Sequence, residues 1–148
     1  MPGAVSRKSE RMERTFRRDL DALNEVFLWL DEFFTSEGIG ADDAFATRLA
    51  VEELFANFVR HNVGGRDHVA IHLDLAGARL TVQLADYDVE PFDVDSIKPV
   101  DVDLPLASRR PGGLGVHFVR RMFDNLSYDY RDRTLSVTAT KNLERKDV

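Results

Sequence analysis

The hydrophobic period of this chain changes from helical to two at Asn62-Val63-Gly64-Gly65. Before that point apolar residues recur at steps of three and four. Phe16, Leu20, Leu23, Phe27, Leu30 and Phe34 lay one stripe along a helix that stops before Gly38-Ile39-Gly40. Asp42 and Asp43 then stand where a helix N-terminus favours negative charge, and the run from Ala44 to His61 holds neither Gly nor Pro, so a second long helix follows. After the change the step is two. Val69, Ile71, Leu73 and Leu75 alternate with polar or small residues, as do Leu80, Val82 and Leu84 beyond Ala76-Gly77-Ala78, which predicts a hairpin with one buried face.

From Asp86 to Pro111 the text is acidic and carries Pro91, Pro99, Pro105 and Pro111 without periodicity. A loop of about 25 residues is far longer than an ordinary connection and reads as a functional lid. Gly112-Gly113-Leu114-Gly115 opens a helical run through Val116, Phe118, Val119, Met122 and Phe123. Two short alternating segments close the pattern, around Leu126 to Tyr130 and Leu135 to Ala139. No repeat, low-complexity tract or linker divides the 148 residues, so they read as one domain with residues 1–6 a frayed tail. The order helix, helix, strand, strand, loop, helix, strand, strand predicts an α+β two-layer sandwich.

Charge narrows the partners. Twenty basic against 26 acidic side chains leave a net charge of -6, opposite in sign to the footprint that phosphate-backbone binding needs, so no nucleic acid is expected. The absence of cysteine excludes disulfides, thiolate zinc and a thiol nucleophile. No apolar run approaches the ~20 residues of a membrane span, and the polar opening MPGAVSRKSE lacks a signal-peptide hydrophobic region. A soluble, cytoplasmic protein without a membrane partner is the expectation. Arg7, Lys8, Arg11, Arg14, Arg17 and Arg18 make a local basic run, read as a solvated helix start or as a partner surface. Trp29, Phe33 and Phe34 serve either core packing or a homodimer face.

Three places can carry chemistry. Glu53, Asn57 and His61 follow at steps of four and share one helix face. A carboxamide oxygen there can hold a hard cation while the carboxylate one turn away acts as a base; the plainer reading is a solvent-facing polar stripe. Glycines at 112, 113 and 115 ahead of a helix let backbone N–H groups approach an anion, or simply form a turn. Asp86, where a strand ends, can accept from an exocyclic amine such as that of adenine. Asp88, Glu90, Asp93 and Asp95 beside it read mostly as solvated loop charges. His68 and His72 on one strand would lie about 13 Å apart and cannot share a metal, and His117 has no ligand near it in sequence. Neither a P-loop, nor GxGxxG after a strand, nor G-x-S-x-G is present.

In this order and at these separations the three places resemble the ATP site of the GHKL superfamily (gyrase, heat-shock chaperone, histidine kinase and mismatch-repair ATPases), and within it the bacterial anti-sigma-factor serine/threonine kinases. The likeness runs from about Ala46 to Leu143. LAVEELFANFVRHNVGG resembles the N-box helix, LADYDVEPFD the D-x-G box, and PGGLGVHFVRRMFDNLSYDY the second glycine box with the helix and strand after it. The resemblance implies a Bergerat-type fold with a mixed, mostly antiparallel sheet and helices on one face. It implies ATP and Mg²⁺ as cofactors, Glu53 as general base, and Asn57 as Mg²⁺ ligand. His61, Asp86, Asp88, Arg110, Gly112, Gly113, Leu114, Gly115 and Thr138 would line the nucleotide, Asp86 reading adenine, with residues 86–111 forming the ATP lid. Asp88 stands where the first box normally has its glycine, so a Cβ and a negative charge are expected to crowd or repel the nucleotide. The implied function is partner switching, in which the protein sequesters a sigma factor in one state and phosphorylates a STAS-domain antagonist in another. The alternative is a module of the same fold that binds partners without turnover.

Overall fold

The first departure from expectation comes early in the chain. Glu10–Arg17 is a strand, β1, where the arginine-rich text predicts the start of a helix. β1 runs antiparallel to β2, His68–Ala76, with Met12 opposite Leu73, Arg14 opposite Ile71 and Phe16 opposite Val69. Phe16 therefore enters the core by the period of two, not as the first residue of a helical stripe. Asp19 ends the extended run, because its carboxylate accepts from the Asp21 N–H and caps a single 3-10 turn, Leu20–Ala22. That turn leads into α1, Leu23–Glu37, in which Phe27, Leu30 and Phe34 keep the expected steps. Gly38, at φ 64°, stops the helix: its left-handed backbone turns the Gly38 and Ile39 N–H groups back onto the Thr35 and Phe34 carbonyls.

α2 spans Ala41–His61 with Asp42 and Asp43 in its first turn, and the hairpin of β2 with β3, Arg79–Tyr87, follows as the alternation predicts. β4, Asn125–Arg131, and β5, Thr134–Asn142, form a second hairpin. The computed structural model describes residues 10–91 and 119–143. Among these the sheet order is β1-β2-β3-β5-β4, and every pairing is antiparallel. The α+β class and the two layers are as expected.

One face of the sheet makes the core. Val69, Ile71 and Leu73 of β2, Val82 and Leu84 of β3, and Val137 of β5 meet Val26, Leu30 and Phe33 of α1 and Val51, Leu54 and Phe55 of α2. Each such side chain, once buried, contributes about 1.5–3 kcal/mol. Trp29, Phe33 and Phe34 are buried in this layer, with Phe16 edge-on to Trp29 at 5.4 Å between ring centroids, so these aromatics pack the core and form no face for a second copy. Among the described residues no helix is long and apolar enough to cross a membrane.

The segment read as a lid starts later than its sequence suggests. Asp86 and Tyr87 still belong to β3, and the next residues are tied down by backbone bonds. Gly65 N–H donates to Asp88 O at 2.8 Å, Glu90 N–H to Val63 O at 2.8 Å, and Val89 N–H to Arg133 O at 3.0 Å. The α2–β2 connection thus becomes a short extra rung against the end of β3. The rest of the expected lid, and the glycine run after it, lie outside the described residues.

Candidate functional site

α2 presents Glu53, Asn57 and His61 one turn apart, as their spacing requires. Glu53 and Asn57 are half-buried beside the apolar stripe of Leu54, Phe55 and Phe58, whereas His61 is exposed in the last turn. Burial pushes the Glu53 carboxyl above the usual carboxylate range, neighbouring Glu52 adds to the rise, and Arg60 partly opposes it. A carboxylate whose charged form is disfavoured holds a proton more readily, which is what a general base working near neutral pH requires. Neither Glu53 nor Asn57 hydrogen-bonds or ion-pairs with another described residue. Their oxygens are hard donors of the kind that suit a divalent cation shared with phosphate.

Asp86 lies at the C-terminal end of the same helix. It continues the inward alternation of Leu80, Val82 and Leu84, and it is fully buried. A buried carboxylate must be paired, and this one is paired twice. Arg18 Nη2 donates to Oδ1, and Asn62 Nδ2 donates to Oδ2 at 2.6 Å. Arg18 is itself held by Arg66 O, 2.8 Å from Nε, and by Phe58 O, 3.3 Å from Nη1. Gly65, at φ 93°, is the neighbour that permits this, since a Cβ there would collide with the guanidinium.

Asp88 adopts φ 61°, the left-handed backbone that a glycine in its place would take without strain. The fold has therefore kept the glycine geometry around an aspartate. Its carboxylate accepts from Arg66 Nε at 2.6 Å; that hydrogen bond and the attraction of the guanidinium hold the Asp88 carboxyl below its usual range and raise Arg66. The charge expected to repel a nucleotide is consequently countered on the spot, and the side chain is exposed rather than directed into the layer.

Thr138 is not brought to this cluster. It pairs with Gln83, whose Nε2 donates to its Oγ1 at 3.1 Å, and both lie on the face of the sheet opposite Asp86. Arg110, Gly112, Gly113, Leu114 and Gly115 fall outside the described residues. A hollow of about 390 Å³ also opens on the far face, lined by Arg11, Glu13, His72, Asp74, Thr81 and Gln83, and it shares no residue with the Asp86 cluster. Sequence reasoning missed Arg18, Asn62 and Arg66. Arg18 continues the period-two series of Met12, Arg14 and Phe16, a signal that becomes visible only once β1 is recognised as a strand.

Comparison with known proteins gives the family. The model of the histidine kinase-like ATPase domain matches residues 16–141. The serine-protein kinases RsbW of Staphylococcus aureus strains bovine RF122 / ET3-1 and MRSA252 are each 22% identical over 148 residues, covering 95% of this chain and 92% of theirs. Among solved structures, the RsbU and RsbW domains of Rv1364c from Mycobacterium tuberculosis superpose with a TM-score of 0.67 at 15% identity, over 93% of this chain and 33% of that one. The histidine kinase domain of the blue-light activated kinase EL346 from Erythrobacter litoralis gives 0.50 at 17% identity, over 84% and 60%. Because the family model spans residues 16–141, most of the sequence, the chain belongs to the histidine kinase-like ATPase domain family, within the GHKL superfamily.

Proposed function

We propose that this protein binds Mg²⁺-ATP and acts as a serine/threonine protein kinase and anti-sigma factor, sequestering a sigma factor in one state and phosphorylating a STAS-domain antagonist in another. The observation that carries the reading is the placement of Glu53 and Asn57 on one face of α2, about two and a half and one and a half turns before Asn62, which donates to Asp86. The names of the RsbW relatives support a protein hydroxyl as the acceptor. A cytoplasmic location accompanies this reading.

The residue roles follow from chemistry. Asn57 would hold Mg²⁺ through its amide oxygen. Among the described residues no group of three or more His, Cys, Asp or Glu forms a metal cage, and a magnesium site completed by phosphate oxygens needs none. Asp86 would accept from the adenine amine, and His61 and Asp88 would border the nucleotide. Arg110 and the backbone N–H groups of the run Gly112, Gly113, Leu114 and Gly115 would neutralise and cradle the phosphates. Bound ATP supplies the phosphoryl group. Glu53 would orient the partner's hydroxyl and take its proton, so that the protein contributes chiefly positioning and charge neutralisation.

The test is a calorimetric titration with ATP and ADP, each with and without Mg²⁺, followed by a transfer assay on a STAS-domain substrate. Saturable Mg²⁺-dependent binding with transfer to a serine or threonine is expected. Binding without transfer would favour a regulatory module that has lost turnover, and no binding at millimolar nucleotide would overturn the reading.

A further inference from the structure

Arg18 stands one residue beyond β1, and each of its three guanidinium nitrogens is committed: Nε to Arg66 O, Nη1 to Phe58 O and Nη2 to Asp86 Oδ1. Its backbone N–H also donates to Asp67 O at 2.7 Å. The guanidinium joins β1, the last turn of α2, the α2–β2 connection and the end of β3, and its side chain is only 16% exposed. Asn62, by contrast, meets Asp86 through a single bond from a half-exposed position one residue past α2.

A carboxylate offers about four acceptor sites, so Arg18 on Oδ1 and Asn62 on Oδ2 leave about two for further donors. Because the guanidinium is planar and anchored on two backbone carbonyls, it fixes the orientation of the group it holds. A fixed, charged carboxylate accepts from an amine and repels a carbonyl oxygen. A carboxylate released from that fork can turn, and its acceptor oxygen no longer sits where the amine needs it.

Resting on the adenine-nucleotide reading above, we propose that Arg18 is a positioning residue for base recognition, holding Asp86 as an acceptor that selects the 6-amino group of adenine over the 6-oxo group of hypoxanthine.

The experiment is calorimetric titration of the full chain with Mg²⁺-ATP and Mg²⁺-inosine triphosphate. Wild-type protein is expected to prefer ATP, and Arg18→Met to reduce that preference by about tenfold or more while keeping its affinity for inosine triphosphate. The retained affinity shows that the variant is folded. Arg18→Lys, which keeps a charge without the fork, is expected to fall between them. Should the Met variant fail to fold, the Lys variant alone decides: a reduced preference supports the assignment and an unchanged one overturns it. Equal loss of both affinities in Arg18→Met would make Arg18 merely structural, and tighter ATP binding would make it an obstruction; either overturns the proposal. Wild-type protein that binds neither nucleotide would overturn the adenine-nucleotide reading itself, a result the wild-type titration records separately.

Discussion

Asp88 and Arg66 form a pair in which the aspartate holds a left-handed backbone, φ 61°, and the arginine Nε lies 2.6 Å from its carboxylate. A residue with a Cβ is strained in this conformation, and glycine is not. The position thus combines a backbone preference for glycine with a surface ion pair that only the aspartate can make.

Asp88→Gly is therefore expected to leave stability almost unchanged, because relief of strain offsets the lost pair and the added freedom of the unfolded chain. Thermal unfolding should shift by no more than about 4 °C. Removing the aspartate leaves the Arg66 charge uncompensated and should tighten ATP binding about threefold or more in low salt, a gain that shrinks in 0.5 M salt. Unchanged affinity in low salt would mean that Asp88 lies clear of the nucleotide.

Asn57→Ala should preserve the circular dichroism spectrum and the unfolding temperature, since the side chain is half-buried and bonds to no other described residue. Nucleotide affinity measured with Mg²⁺ should fall to the level measured in EDTA. If Mg²⁺ still strengthened binding in the variant, the cation would be held elsewhere.

Glu53 carries opposite signs for stability and for chemistry. Its carboxyl is raised by burial and by Glu52, so the folded state favours the protonated form. The stability tied to that proton is present below the unfolded-state value and is lost as pH rises through the higher folded value. Glu53→Gln, neutral throughout, should be at least as stable as wild type at pH 7 and should bind ATP normally. Transfer should drop by about 10²- to 10⁴-fold. In the wild type, transfer should rise with pH as Glu53 loses its proton, and the same rise in the Gln variant would remove the base assignment.

Phe16→Ala tests the strand that the sequence hides. Phe16 is 1% exposed and packs edge-on against Trp29. Its loss should lower stability by about 3–5 kcal/mol in denaturant unfolding, whereas Leu28→Ala, at a position 68% exposed, should change it by less than about 0.5 kcal/mol. Similar effects at the two positions would show that β1 does not close the core.

Elements whose apolar residues follow one period without interruption were legible. α2 has no breaker between Ala44 and His61, and the β2–β3 hairpin alternates through four apolar positions before its turn and three after it. β1 was not legible because its inward series is Met12, Arg14 and Phe16, and the arginine between them breaks the pattern. Phe16 also happens to lie four residues before Leu20, which mimics a helical step. Charged side chains suit an edge strand, where they discourage pairing with another chain, yet they mask the strand in sequence. At the site, the face shared by Glu53 and Asn57 and the place of Asp86 at a strand end were both readable. The Arg18–Asp86 and Arg66–Asp88 pairs join residues far apart in sequence, and no local pattern encodes such partners.

The sheet order has a kinetic consequence. β2 with β3 and β4 with β5 are hairpins that can close locally, and among the described residues the two hairpins meet where β3 lies against β5, pairing Tyr87 with Thr134 and Arg79 with Asn142. Everything between those strands must be looped out before that ladder forms, and the entropy of the closure comes before its contacts reward it. The β1–β2 ladder, which joins Arg17 to His68, is as long-range, so refolding should be limited by these two closures and not by the hairpins. Val82→Ala and Val137→Ala, one on each side of the β3–β5 ladder, should slow refolding more than Leu126→Ala in the local β4–β5 hairpin.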